Sequence, residues 1–144
     1  INGIAALASW EPPLIVVDFG TATTIDVFNA PNQFIGGAIC PGLSIMQQGL
    51  VERTEQLFEV PIEAPERVIG KNTKQALQSG IVLGYAGMIE SLLQKVRNEL
   101  DVQQIKVIAT GGYSSLLSPH IPSITAVQSD LTLNGLRIIY EMNQ

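Results

Sequence analysis

The segment Asp18-Phe19-Gly20-Thr21-Ala22-Thr23-Thr24-Ile25-Asp26 joins two runs rich in β-branched residues, Leu14 to Val17 and Thr23 to Phe28. Both runs read as strands, which makes Gly20-Thr21-Ala22 the tight turn of a hairpin. A carboxylate at a strand end followed at once by glycine and threonine has a physical use. Gly20 lets the backbone approach a phosphate with no side chain in the way. Successive turn N–H groups and the Thr21 hydroxyl can then bind phosphate oxygens. Asp18 would repel a bare phosphate, so beside one it implies an intervening cation or water. The competing reading is an ordinary hairpin that uses Asp and Gly because turns favour them.

Outward from this hairpin, Ile1, Ile4, Ala5 and Ala8 fall at helical spacing, and Trp10-Glu11-Pro12-Pro13 ends that helix. Asn29 to Asn32 is a turn, and Phe34 to Ile39 is a third strand carrying Gly36 and Gly37. Pro41-Gly42 leads into a short helix, Leu43 to Val51. Gly36-Gly37 and Pro41-Gly42 either bring backbone near a substrate or form a bulge and a helix start. Glu52 to Lys71 is an excursion without clear period. Asn72 or Thr73 caps a long helix to about Leu100. On that helix Gly80, Gly84 and Gly87 make a smooth stripe, which predicts close packing on the sheet or on a partner helix. Ile105 to Ala109 is a strand running into Thr110-Gly111-Gly112, where two glycines allow a flat ligand to lie against bare backbone. A short strand at Ile124 to Val127 and a helix from Leu131 to Met142 complete the chain. Three adjacent strands followed by helix, strand and helix make an α/β layer of βββαβα order.

Composition narrows the possibilities. The chain has 144 residues, 46% of them hydrophobic and 15% charged, which suits one folded domain with much of its surface covered by another body. Eight basic residues against 13 acidic ones give a net charge of −5, so the basic footprint of a nucleic-acid binder is missing. Cys40 is the single cysteine and His120 the single histidine, which excludes an intrachain disulfide and a His/Cys zinc site. A reducing compartment and a buried, unreactive Cys40 are expected. No apolar stretch approaches the ~20 residues that span a bilayer, so no membrane partner is expected. The chain opens on Ile1 rather than Met, which reads as an internal position of a longer protein.

Four blocks carry a resemblance: DFGTATTID (Asp18 to Asp26), GGAICPGL (Gly36 to Leu43), GKNTKQALQSG (Gly70 to Gly80) and ATGGYS (Ala109 to Ser114). In order and spacing they resemble the signature blocks of the type III pantothenate kinases, from about Val16 to Leu136. The resemblance implies the actin/hexokinase/Hsp70 kinase superfold, with residues 1–144 as the C-terminal, ribonuclease H-like domain and an N-terminal domain preceding it. It implies ATP-dependent phosphorylation of pantothenate to 4'-phosphopantothenate, the first step towards coenzyme A, in a cytoplasmic homodimer. By the same resemblance, Asp18 binds a monovalent cation (potassium or ammonium), with Mg²⁺ accompanying ATP. Gly20 and Thr21 contact ATP, Gly111 and Gly112 border the adenosine, and Thr73 contacts pantothenate. The catalytic base belongs to a Gly-x-Asp-Arg motif expected just upstream of Ile1, so these 144 residues alone are expected to be inactive. The alternatives are a kinase of the same superfold with another acceptor and a non-catalytic regulatory or assembly module.

Overall fold

Burial along the first strand explains the architecture. The computed structural model describes all residues, Ile1–Gln144. Strand β1 (Leu14–Phe19) is buried at every position except Asp18. Alternate residues of a strand point to opposite faces, so a run buried throughout must be covered on both sides. Ile15, Val17 and Phe19 enter a large apolar core, while Leu14 and Val16 enter a smaller one on the other face.

Around β1 lies a five-stranded sheet of order β3-β2-β1-β4-β5. Strand β2 (Ala22–Asn29) is antiparallel to β1, and β3 (Gln33–Pro41) is antiparallel to β2. These are the three meander strands expected from sequence. Strand β4 (Lys106–Thr110) lies parallel to β1 on its other side, and the two-residue β5 (Ala126–Val127) lies parallel to β4. The order therefore runs one strand–helix unit beyond βββαβα.

At the outer edge, β3 bulges where Val27 pairs with Gly36 but Phe28 pairs with Phe34. Gly36 takes φ +120° there, a conformation open to glycine at little cost. The bulge reading of Gly36 thus accounts for its identity.

The large core separates the sheet from α2 (Leu43–Arg53) and from a continuous helical rod. The rod comprises α3 (Thr73–Gln78), a π-helical turn Ser79–Gly84 and α4 (Tyr85–Glu99). Its buried face is Ile81, Val82, Tyr85, Ala86, Ile89 and Leu93. Gly80, Gly84 and Gly87 are exposed, and a methyl group at any of them would meet nothing within 4 Å. Of the two packings expected for this stripe, on the sheet or on a partner helix, the first does not occur: apolar bulk, not the smooth face, is what the sheet covers.

The rod also corrects the reading that no segment reaches membrane-spanning length. Thr73–Glu99 is 27 residues and apolar enough, but half of its most apolar window is buried inside the fold.

After β4 come the short α5 (Ser114–Leu117) and a 3₁₀ turn, Ser118–His120. On the other face, α1 (Asn2–Ser9) and α6 (Leu131–Met142) pack against the smaller core. Both helices are closely seated, α6 on the start of α1 and α1 on β2. A side chain on Gly135 would strike the Ile1 carbonyl, and one on Gly3 would strike the Phe28 ring.

The excursion between α2 and α3 has no regular element but is tied down. The Val60 N–H donates to Gln47 Oε1 (3.0 Å), Gln78 Nε2 to the Pro61 carbonyl (2.9 Å), and the Ser79 hydroxyl to the Val68 carbonyl (2.6 Å).

Candidate functional site

The parallel register of β1 and β4 brings the two glycine motifs together. Asp18 pairs with Thr110, so the turn after β1 and the loop after β4 leave the sheet side by side. In open α/β sheets ligands bind at this carboxyl end of parallel strands. Gly111 takes φ +92°, and a methyl group on it would lie 2.6 Å from both Asp18 Oδ1 and the Phe19 carbonyl oxygen. The Tyr113 N–H donates to that Phe19 carbonyl (3.4 Å), and the Ser114 N–H and hydroxyl donate to the Gly111 carbonyl (3.1 and 2.7 Å).

A third loop closes on the same place. The Gly42 N–H donates to the Thr21 carbonyl (3.0 Å), and a side chain at Gly42 would collide with the Gly20 and Thr21 carbonyls. Gly42 is also the N-cap residue of α2, so the helix-start reading of Pro41-Gly42 holds. Ser44 of α2 shares a hydrogen bond with the Tyr113 hydroxyl (2.7 Å), and Tyr85 donates to the Pro41 carbonyl (3.0 Å). Hairpin turn, α2 start and post-β4 loop thus form one cluster.

What this cluster offers is donors. The N–H groups of Gly20, Thr21, Gly111 and Gly112 donate to no acceptor within the chain. Thr21 and Gly112 are exposed. Gly20 lies outside the left-handed region, and a methyl group there would make only ordinary contacts of 3.4 and 3.5 Å with the Ala22 carbonyl and Asp18 Oδ1. The turn itself therefore does not demand glycine at position 20; space beside the backbone is what glycine adds.

Polar side chains gather beneath. Asp18, Thr24, Asp26 and Thr110 share the face of the sheet that, farther along, carries Val16 and Ile108. Asn2 of α1 donates from Nδ2 to Asp18 Oδ2 (2.7 Å) and accepts from the Thr132 hydroxyl of α6 (2.7 Å). Thr110 is buried, and its hydroxyl has no hydrogen-bond partner, a state that costs about 1–3 kcal/mol. Burial pushes the Asp26 carboxyl up, and the Asp18 charge adds to this.

No group of three or more His, Cys, Asp or Glu side chains is placed to hold a metal ion. One carboxylate oxygen beside an orphaned hydroxyl is an all-oxygen donor set, the kind that suits a hard, weakly held cation and not zinc. Cys40 is half-buried against the large core, and burial raises its thiol pKa, so it is a packing residue.

Thr73 stands apart. Asn72 is the helix cap, accepting from the Gln75 N–H (2.9 Å), which leaves the Thr73 hydroxyl exposed and free of that role. Asp18, Gly20, Thr21, Gly111 and Gly112 come together at the ends of β1 and β4, whereas Thr73 lies on α3.

Sequence reasoning passed over Asn2, Thr110, Ser44 and Tyr113 as participants. Thr110 and Tyr113 lie within the quoted glycine block, but nothing in the sequence marks Asn2.

Comparison with known proteins identifies a family. The family profile described as "Type III pantothenate kinase" matches residues 1–95. A type III pantothenate kinase of Thermomicrobium roseum is 49% identical over 140 residues, covering 97% of this chain and 54% of the relative. Among solved structures, a conserved protein of the Baf family of transcriptional activators from Campylobacter jejuni superposes with TM-score 0.65 at 25% identity. It is matched over 96% of this chain and 62% of its own. The Alp12 filament structure gives TM-score 0.66 at 12% identity over 98% of this chain and 51% of its own, a likeness of fold alone. The fold is that of the actin/Hsp70-like ATPases. The chain spans about half the length of the curated relatives it matches. On the match of most of its length to the family profile and its identity to the curated relatives, the chain belongs to the type III pantothenate kinase family.

Proposed function

We propose that these 144 residues are the C-terminal, ribonuclease H-like half of a cytoplasmic enzyme that transfers the γ-phosphoryl group of ATP to the primary hydroxyl of pantothenate. The observation that carries this reading is the meeting of the Asp18–Thr21 turn and the Gly111–Gly112 loop at one end of β1 and β4, in a chain of this family. Phosphoryl transfer depends mainly on positioning and charge neutralisation, and free backbone N–H groups with a threonine hydroxyl are suited to both.

In this reading Thr21 and the N–H groups of Gly20 and Thr21 hold phosphate oxygens, while Gly111 and Gly112 border the adenosine. Asp18 presents Oδ1 to a monovalent cation, which when bound offsets phosphate charge; Mg²⁺ accompanies ATP. Thr73 meets pantothenate, and a second copy of the protein completes that site as a homodimer. The preceding half supplies the base that takes the hydroxyl proton.

The test is ADP formation by the full-length protein carrying this chain, with pantothenate and a panel of other alcohols and sugars as acceptors. The reading predicts ADP formation that depends on pantothenate, and none from the 144 residues alone. Turnover by the isolated chain, or preference for another acceptor, would contradict it. The likeness to a Baf-family activator favours a second reading, a non-catalytic regulatory module. Nucleotide binding without turnover on any acceptor would support that one.

A further inference from the structure

The two oxygens of Asp18 have different surroundings. Oδ2 accepts from Asn2 Nδ2 at 2.7 Å. Oδ1 faces Gly20 and Gly111, the two residues whose missing side chains leave room beside it. A carboxylate only accepts, so the amide nitrogen of Asn2 must face Asp18, and its oxygen must face Thr132. Thr132 Oγ1 lies 2.7 Å from that oxygen and has to donate. The polarity of the chain is thereby fixed: the Thr132 hydroxyl donates to Asn2, and Asn2 donates to Asp18.

We propose that Asn2 is a positioning residue for Asp18, held in turn by Thr132. It occupies one carboxylate oxygen and turns the other toward the Gly20–Gly111 gap, tying the cation-side carboxylate to the packed pair α1 and α6. The proposal rests on the reading of Asp18 as the carboxylate beside the nucleotide phosphates. Asn2 is half-buried and its amide is the only group donating to Asp18, whereas Thr132 is exposed and acts at one remove. The effect of losing Thr132 is therefore the smaller.

The experiment measures Mg·ADP affinity as a function of KCl, at constant ionic strength, in the full-length protein carrying this chain. Asp18→Asn is expected to abolish the potassium dependence. Asn2→Ala should raise the potassium concentration for half-maximal effect about tenfold or more, the usual size for loss of an outer partner to an ion ligand. Thr132→Val should raise it a few-fold and Thr132→Ser should restore the wild-type value. A packing role predicts the reverse order for the last pair, because Val matches the shape of Thr and Ser does not.

If Asp18→Asn loses the dependence while Asn2→Ala and Thr132→Val keep wild-type values, the positioning role is overturned and the reading of Asp18 stands. If Asp18→Asn keeps the full dependence, the reading of Asp18 fails and the positioning role with it. If Asn2→Ala does not fold, the Thr132 pair decides.

Discussion

Glu90 and Asp18 are carboxylates with opposite fates. Glu90, on α4, is saturated: Oε1 accepts from Gln94 Nε2 (2.8 Å) and the Ser123 hydroxyl (2.6 Å), and Oε2 accepts from the Ser123 N–H (3.0 Å). Asp18, on the other face of the sheet, accepts one hydrogen bond and keeps an oxygen for the space between two glycines. Beside it lies Thr110 with an unpartnered hydroxyl. A saturated carboxylate ties a helix to a loop. A half-used one beside an unpartnered hydroxyl and free backbone N–H groups is the arrangement the proposed nucleotide site calls for. Polar groups left partly unsatisfied in a native fold call for such an explanation.

The largest expected effect comes from closing the space at Asp18. Gly111→Ala adds a methyl group against Asp18 Oδ1 and the Phe19 carbonyl at a residue with φ +92°. It should cost about 1–3 kcal/mol of stability, read by urea denaturation, and abolish nucleotide binding. Unchanged stability would mean that the two loops are not locked as described.

The next effect tests the saturated partner. Glu90→Gln replaces an acceptor-only group with one that brings its own donors, costing about 1 kcal/mol for a partly exposed site. The pH dependence has a definite sign. Desolvation by burial acts to raise the Glu90 pKa, but the hydrogen bonds from Ser123 and Gln94 and the Arg97 charge together bring it below its ordinary 4.5. The stabilisation is therefore full above about pH 4.5 and lost as pH falls through the lowered folded value. Denaturation curves of the wild type should approach those of Glu90→Gln in that acid range. Parallel curves at every pH would contradict the assignment.

The smallest effect has the opposite sign. Thr110→Val removes a buried hydroxyl that bonds to nothing while keeping the shape. Stability should be unchanged or higher by up to about 1 kcal/mol. Mg·ADP affinity in the full-length protein should nevertheless fall. Lower stability would show that the hydroxyl has a partner within the fold.

Much of the fold was legible because its signals are local. The meander follows from β-branched runs broken at Gly20-Thr21 and Ala30 to Asn32, and the long helix from the cap at Asn72. The site was legible only in part. DFGT and TGG could be quoted, but their adjacency depends on β1 pairing with β4 across some 90 residues of chain. Asn2 reaches Asp18 across 16 residues and Thr132 across 130, which no spacing rule anticipates. The glycine stripe does not meet the sheet, because spacing defines a helix face without saying what it covers. The buried face was instead marked by Ile81, Val82, Tyr85, Ile89 and Leu93.

The central claim is that the end of β1 and β4 is the phosphate and cation side of a nucleotide site. It is tested most directly by crystals of the full-length protein grown with Mg·ADP and thallium(I) in place of potassium. The account predicts an anomalous thallium peak on the Oδ1 side of Asp18, near the diphosphate, with phosphate oxygens on Thr21 and the Gly20–Thr21 N–H groups. Nucleotide bound away from Gly20 and Gly111, or a thallium peak remote from Asp18 with the diphosphate in place, would contradict it.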